Sequence, residues 1–170
     1  MHKKTLFLYY GSQFFHKFLA DAIEAEPYPS IHSKIKFLLP LELLYGLVKL
    51  PKDYDLYLCE HTFVFPALAR KLGLIKNAKI ANIFADSLLY YLTEGKYNFL
   101  VRSFYLTMLK EVDYGVCVGK MEEKLLKKLN QGVKTIVVYP YVRDELKIAL
   151  MNIDTLPNLD SKRLLFCNHF

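Results

Sequence analysis

The stretch DYDLYLCEHTFVFPALARKLG, residues 53–73, decides the fold. Residues 56–59 (LYLC) are apolar without alternation, which suits a strand covered on both faces rather than one with a wet side. Glu60, His61 and Thr62 make a polar loop. Residues 65–72 (FPALARKL) then have the make-up of a helix, with Gly73 placed to end it in a left-handed conformation. Strand, loop and helix in that succession are the repeating half of a parallel crossover unit. The unit also poses a question, because a strand that must be buried stops on two ionisable side chains.

The same alternation extends in both directions. Toward the N-terminus, Thr5–Tyr10 (TLFLYY) reads as a buried strand, residues 11–13 as its turn and residues 14–25 as a helix with Phe14, Phe18, Ala22 and Ala25 near one face. Residues 35–39 (IKFLL) are the next strand candidate, after which Pro40 opens a helix over residues 41–50 and Pro51 ends it. Toward the C-terminus, residues 79–85 (KIANIFA) form a strand, Asp86 or Ser87 caps the next helix, and residues 88–112 are helical with a break around Gly95. Residues 114–118 (YGVCV), a helix over 121–129 and a strand over 133–139 complete the series at Pro140. Beyond it come a short helical stretch (145–151), a polar segment carrying Pro157, and the β-like run 163–167 (RLLFC). These patterns predict an α/β, Rossmann-like open parallel sheet flanked by helices. They divide the chain into a domain over 1–150, a linker over 151–162, and residues 163–170 as either an added edge strand or the start of a second domain.

Composition narrows the classes. A chain of 170 residues, 53% hydrophobic, buries about 70% of its unfolded surface as one domain. The net charge of +6 points to an anionic partner. Its densest basic cluster, Lys120, Lys124, Lys127 and Lys128, keeps helical spacing around Glu122 and Glu123 and reads as a solvated helix face. No aromatic-basic module of the RRM or zinc-finger kind occurs, so nucleic acid is not an expected partner. Cys59, Cys117 and Cys167 are far apart and each falls in a predicted strand, the usage of buried free thiols in a reducing compartment and not of a metal site. The start MHKKTLFLYYG runs into Gly11, Ser12 and Gln13 with no small-residue cleavage pattern. Glu42 with Pro40, and Arg102, interrupt the two longest apolar stretches before either is long enough to span a bilayer. The expected location is cytoplasmic, with peripheral contact at the inner face of the membrane admitted by the basic charge.

Strand ends answer the opening question. In an open parallel sheet, ligands bind outside the carboxyl ends of the strands. Gly11 and Ser12, Glu60 and His61, Asp86 and Ser87, and Gly119 and Lys120 all fall there. Each also has a plainer role as loop or helix cap, and Asp86 in particular reads equally as an N-cap. GxGxxG, GxxxxGK[ST] and GxSxG are all absent, which removes dinucleotide, P-loop and α/β-hydrolase chemistry. His2, His16 and His32 show no paired spacing and read as packing or surface residues.

The order "DYDLYLCEHTFVFPALARKLG", "KIANIFADS", "EVDYGVCVGKMEEKLLKKL", "VKTIVVYPYV" resembles the N-terminal half of GT-B glycosyltransferases, in particular the large retaining, family 4-like group. The matching punctuation is Tyr54-Asp55, Glu60-His61, residues 66–72, Asp86, Val112-Asp113, Gly119 and Tyr139-Pro140, and "SKRLLFCNHF" is similar to the segment where the second domain of that family begins. The first loop departs from the family in having Gly11-Ser12 instead of a Gly-Gly pair. The resemblance implies the acceptor-binding half of an enzyme that moves a sugar from a nucleotide-sugar donor to a glycan or lipid-linked acceptor, with no metal and no cofactor. Donor contacts would come mainly from a second domain, so this half alone would be inactive. By position, Asp86 would be catalytic, followed by His61 and Glu60; Gly11, Ser12, Ser87, Gly119 and Lys120 would touch substrate. Residues 96–110, with Lys3, Lys4, Lys34 and Lys36, would either dock on a bilayer or form a core or interdomain helix. A different class stands beside these: a non-catalytic α/β binding module, or one subunit of a split transferase.

Overall fold

The uniformly apolar run Thr5–Tyr10 forms strand β1, with Leu6, Phe7, Leu8 and Tyr9 all buried. Such a run needs cover on both faces. The computed structural model, which describes residues 4–10, 14–30, 39–85 and 87–139, supplies it. In chain order the elements are β1, α1 (Phe14–Ala22), β2 (Glu26–Ser30), α2 (Leu39–Lys49), β3 (Leu56–Glu60), α3 (Val64–Lys71), β4 (Lys79–Phe84), α4 (Leu88–Thr93), α5 (Phe99–Leu109), β5 (Tyr114–Cys117), α6 (Lys120–Leu129) and β6 (Lys134–Val137). Among the described residues the strands form one sheet, parallel at every pairing, in the order β2-β1-β3-β4-β5-β6. This is the α/β Rossmann-like sheet that the patterns predict.

The chain leaves β1 toward β2 on one side and returns to β3 on the other, so the strand order reverses between β1 and β3. A crevice opens at such a reversal. The two-residue period of the strands sorts their side chains. Phe7 and Tyr9 meet Ala20 and Ala25 under α1, with Leu58 and Ile83 beside them. Leu6, Leu8, Tyr57, Cys59, Ile80 and Phe84 pack against α2 to α6 in the larger core, through Leu47, Val64, Leu88, Met108 and Leu126.

Among the described residues the second strand is EPYPS, Glu26–Ser30, and the strand expected over 35–39 falls mostly outside them. Leu39 opens α2, and residues 35–38 lie outside the described residues. Two prolines are tolerated here because β2 is an edge strand. Pro27 and Pro29 lack the N–H that a ladder bond needs, and a strand paired on one side has positions where none is required. The long helical region also divides. α4 stops at Thr93, Gly95 takes φ +67°, and α5 begins where the side chain of Asn98 accepts the Val101 N–H at 2.9 Å. Gly73 closes α3 as expected, at φ +72° with its N–H bonded to the Arg70 carbonyl.

At the amino ends of the strands, acids act as clips. Asp55 accepts the Lys4 N–H at 3.0 Å, and Asp113 accepts the Ile80 N–H at 2.8 Å. The Arg70 guanidinium from α3 joins Asp113 at 2.7 Å and also donates to the carbonyls of Glu111 and Ala78. Burial works against ionisation of Asp113, but the Arg70 and Ile80 hydrogen bonds, with the charges of Arg70 and Lys79, hold its carboxyl below the ordinary value.

The chain divides into two units, Met1–Tyr139 and Pro140–Phe170. The helix expected over 145–151, the linker over 151–162 and the run 163–167 fall in the second, outside the described residues. No described helix is long and apolar enough to cross a membrane.

Cys59 and Cys117 are free and buried. Burial pushes the Cys59 thiol far up, while burial and the charges of Glu123 and Glu122 push Cys117 to about 11. Because the thiolate is the reacting form, iodoacetamide at pH 8 should label both at least about 100-fold more slowly in the folded chain than in urea. Peptide mass spectrometry of the two sites checks this.

Candidate functional site

The crevice between the carboxyl ends of β1 and β3 is built by three consecutive residues that leave β3 in different directions. Glu60, the last strand residue, shares the orientation of Leu58 and turns to the α1 face. There its Oε2 lies 2.8 Å from His16 Nε2, and the two side chains are 20% and 7% exposed. The His16 ring stacks on Tyr9 at 4.5 Å. Thr62 is fully buried, and its hydroxyl donates to the Leu8 carbonyl at 2.9 Å, tying the loop to β1.

Between them His61 sits at φ +60°, a region that side-chain-bearing residues rarely adopt. Holding it there costs about 1–2 kcal/mol. His61 stands on the opposite side from Glu60. It lines a cavity of about 500 Å³ together with Tyr10 from the end of β1, Glu42 and Leu43 from α2, Val64 and Phe65 from α3, Leu88 from α4, Tyr97, and Leu100, Val101, Phe104 and Tyr105 from α5. That volume suits a small organic ligand.

Tyr10 has its phenol pushed up to about 12, by burial first and then by Tyr105 and the Glu42 carboxylate nearby. It stays a neutral donor across the working pH range. Tyr97 and Tyr105 stack at 5.7 Å and form an aromatic wall. A phenol, a carboxylate and an imidazole on apolar and aromatic walls can bind a hydroxyl-bearing ligand and accept a proton from it.

Among the described residues, the expected site residues do not form one cluster. His61 lines the cavity; Glu60 does not, and pairs with His16 instead. Ser87 is exposed at the start of α4, makes no side-chain cap bond, and stands next to the cavity residue Leu88. Gly119 and the exposed Lys120 begin α6, away from the described cavity wall. Glu122 and Glu123 occupy that helix's first turn, with a Glu122 oxygen 2.7 Å from where a Cβ on Gly119 would stand. These carboxylates already complement the positive end of the helix, so a phosphate would have to displace them. Gly11, Ser12 and Asp86 lie outside the described residues.

Tyr10, Glu42 and the pairing of His16 were not singled out from the sequence. Glu42 carried a signal, as the one acid within the apolar segment LPLELLYGLVK. His16 carried none, because its partner lies on another element. Among the described residues no group of three or more His, Cys, Asp or Glu side chains is arranged to hold a metal ion.

No protein-family model matches the chain, and no curated protein matches it in sequence. Among solved structures it is similar to the crystal structure of Anabaena Alr3699/HepE in complex with UDP and glucose, with a TM-score of 0.50 and 12% identity, over 88% of this chain and 50% of that one. The chain thus spans about half the length of that structure. At this identity the likeness is one of fold, an α/β, Rossmann-like domain with an open parallel sheet that matches about half of that structure.

Proposed function

We propose that this domain is the acceptor-side half of a GT-B glycosyltransferase, of the retaining, family 4-like group, acting on a glycan or lipid-linked acceptor. The observation that carries the reading is the cavity at the reversal of strand order, with Tyr10, Glu42 and His61 around it. In this reading Tyr10 and Glu42 orient acceptor hydroxyls, and His61, held in place by its strained backbone, accepts a hydrogen bond or proton from the attacking one. Glu60 with His16 fixes the start of α1 against β3, and Gly11 and Ser12 touch substrate. Asp86 joins His61 as a catalytic group, and Ser87, Gly119 and Lys120 lie on the side that faces the donor. The domain runs over 1–150, with 151–162 as linker and 163–170 as either the start of a second domain or an added edge strand, and most of the nucleotide-sugar site lies outside this half. The protein works in the cytoplasm, at the inner face of the membrane.

A second reading, a non-catalytic binding module or one subunit of a split transferase, is favoured by one feature. The described cavity wall contains no Lys or Arg, and carboxylates fill the start of α6, so neither of these two places meets a diphosphate. Calorimetric titration separates the readings. The acceptor-side reading expects saturable heat with glucosides and none with UDP-glucose. Tight UDP-glucose binding would overturn that division of labour, and silence with both would favour the non-catalytic module.

A further inference from the structure

The cavity's walls also bear on what kind of acceptor it takes, an inference that rests on the acceptor-side reading. Leu43, Val64, Phe65, Leu100, Val101 and Phe104 give most of its surface an aliphatic or phenyl character. Burying sugar hydroxyls against such a wall leaves them without partners, which is costly. The wall is also continuous with the outside. Leu100 lines the cavity yet is 78% exposed, and its neighbour Phe99 is 80% exposed. An apolar track therefore runs from the polar groups out past the start of α5.

We propose that the site takes a sugar-headed amphiphile, whose hydroxyls meet Tyr10, Glu42 and His61 and whose aliphatic chain lies along Val101 and Phe104 and leaves at Leu100. A purely polar oligosaccharide would use the first set and leave the second idle. The amphiphile uses both, and its affinity grows with chain length.

The test is calorimetry of the full chain with n-butyl, n-hexyl and n-octyl β-glucoside, each below its micelle concentration. Burial of each added methylene lowers Kd about threefold, so octyl glucoside should bind roughly 100-fold more tightly than butyl. Leu100→Glu places a charge on an exposed position at the mouth, where folding, followed by circular dichroism, should be unchanged. It should flatten the dependence on chain length. Glu42→Gln should weaken all three glucosides by a similar factor and leave the dependence intact. Equal affinity for the three, or a dependence that survives Leu100→Glu, would overturn the amphiphile proposal while leaving an acceptor site in place. UDP-glucose binding in the preceding titration would overturn the acceptor-side reading without touching the chain-length result.

Discussion

Replacing Arg70 with alanine should cost about 3 kcal/mol of stability and lower the thermal unfolding midpoint by about 10 °C. One guanidinium holds three elements together at the amino end of the sheet. It donates to the Glu111 carbonyl at 2.6 Å, beyond the end of α5, to the Ala78 carbonyl at 2.5 Å, ahead of β4, and to Asp113 at 2.7 Å, ahead of β5. Arg70 and Asp113 are only 19% and 24% exposed, so water does not readily replace the lost bonds. Lysine should recover less than half of the loss, because an ammonium cannot reach three acceptors in a planar fork.

The effect has a pH signature. Asp113 has its folded value held below the ordinary carboxylate range, so its ionised form favours the folded state. That contribution is fully present above the unfolded value of about 4 and is lost as pH falls through the folded one. The stability gap between the parent and Arg70→Ala should therefore narrow below about pH 4, without closing, since the two carbonyl bonds do not titrate. Urea unfolding at pH 7 and pH 3 measures it; a gap that does not change would remove Asp113 from the account.

Gly115→Val should cost about 3 kcal/mol, against the direction of strand propensity, which favours valine. A Cβ at this position would stand 2.2 Å from Leu126 Cδ2 and 3.4 Å from the Phe84 ring. Both neighbours are fully buried, so neither can retreat into solvent. The close approach of β5 and α6 is what the absent side chain permits. Combining Gly115→Val with Leu126→Ala should recover part of the loss, a non-additivity that denaturant titration of the three variants reads directly.

How much of this was legible depended on where a strand sits. β1, β3, β4 and β5 each pair on both sides, and each carries a mostly apolar run, with Asn82 the polar residue inside β4. Among the described strands β2 pairs on one side only, so EPYPS could carry two prolines and no aliphatic residue and still pair with β1. The strand-end rule led to Glu60 and His61. The two-residue alternation of strands, applied one step further, would also have separated them, Glu60 following Leu58 and His61 following Cys59. What no local pattern carries is the partner: His16 and Glu42 reach the crevice because α1 and α2 pack on opposite faces of the sheet, a fact of topology and not of spacing.

The most direct test of the account is a map of where a glucoside lands. In methyl-resolved NMR spectra of the chain titrated with octyl glucoside, the methyl groups of Leu43, Val64, Leu100 and Val101 should shift in a saturable way. Those of Ile75, which lines a cavity with Lys4 and Asp53 at the amino ends of the strands, should stay still. Shifts at Ile75 with none at Leu43 and Leu100 would contradict a site at the carboxyl ends of β1 and β3.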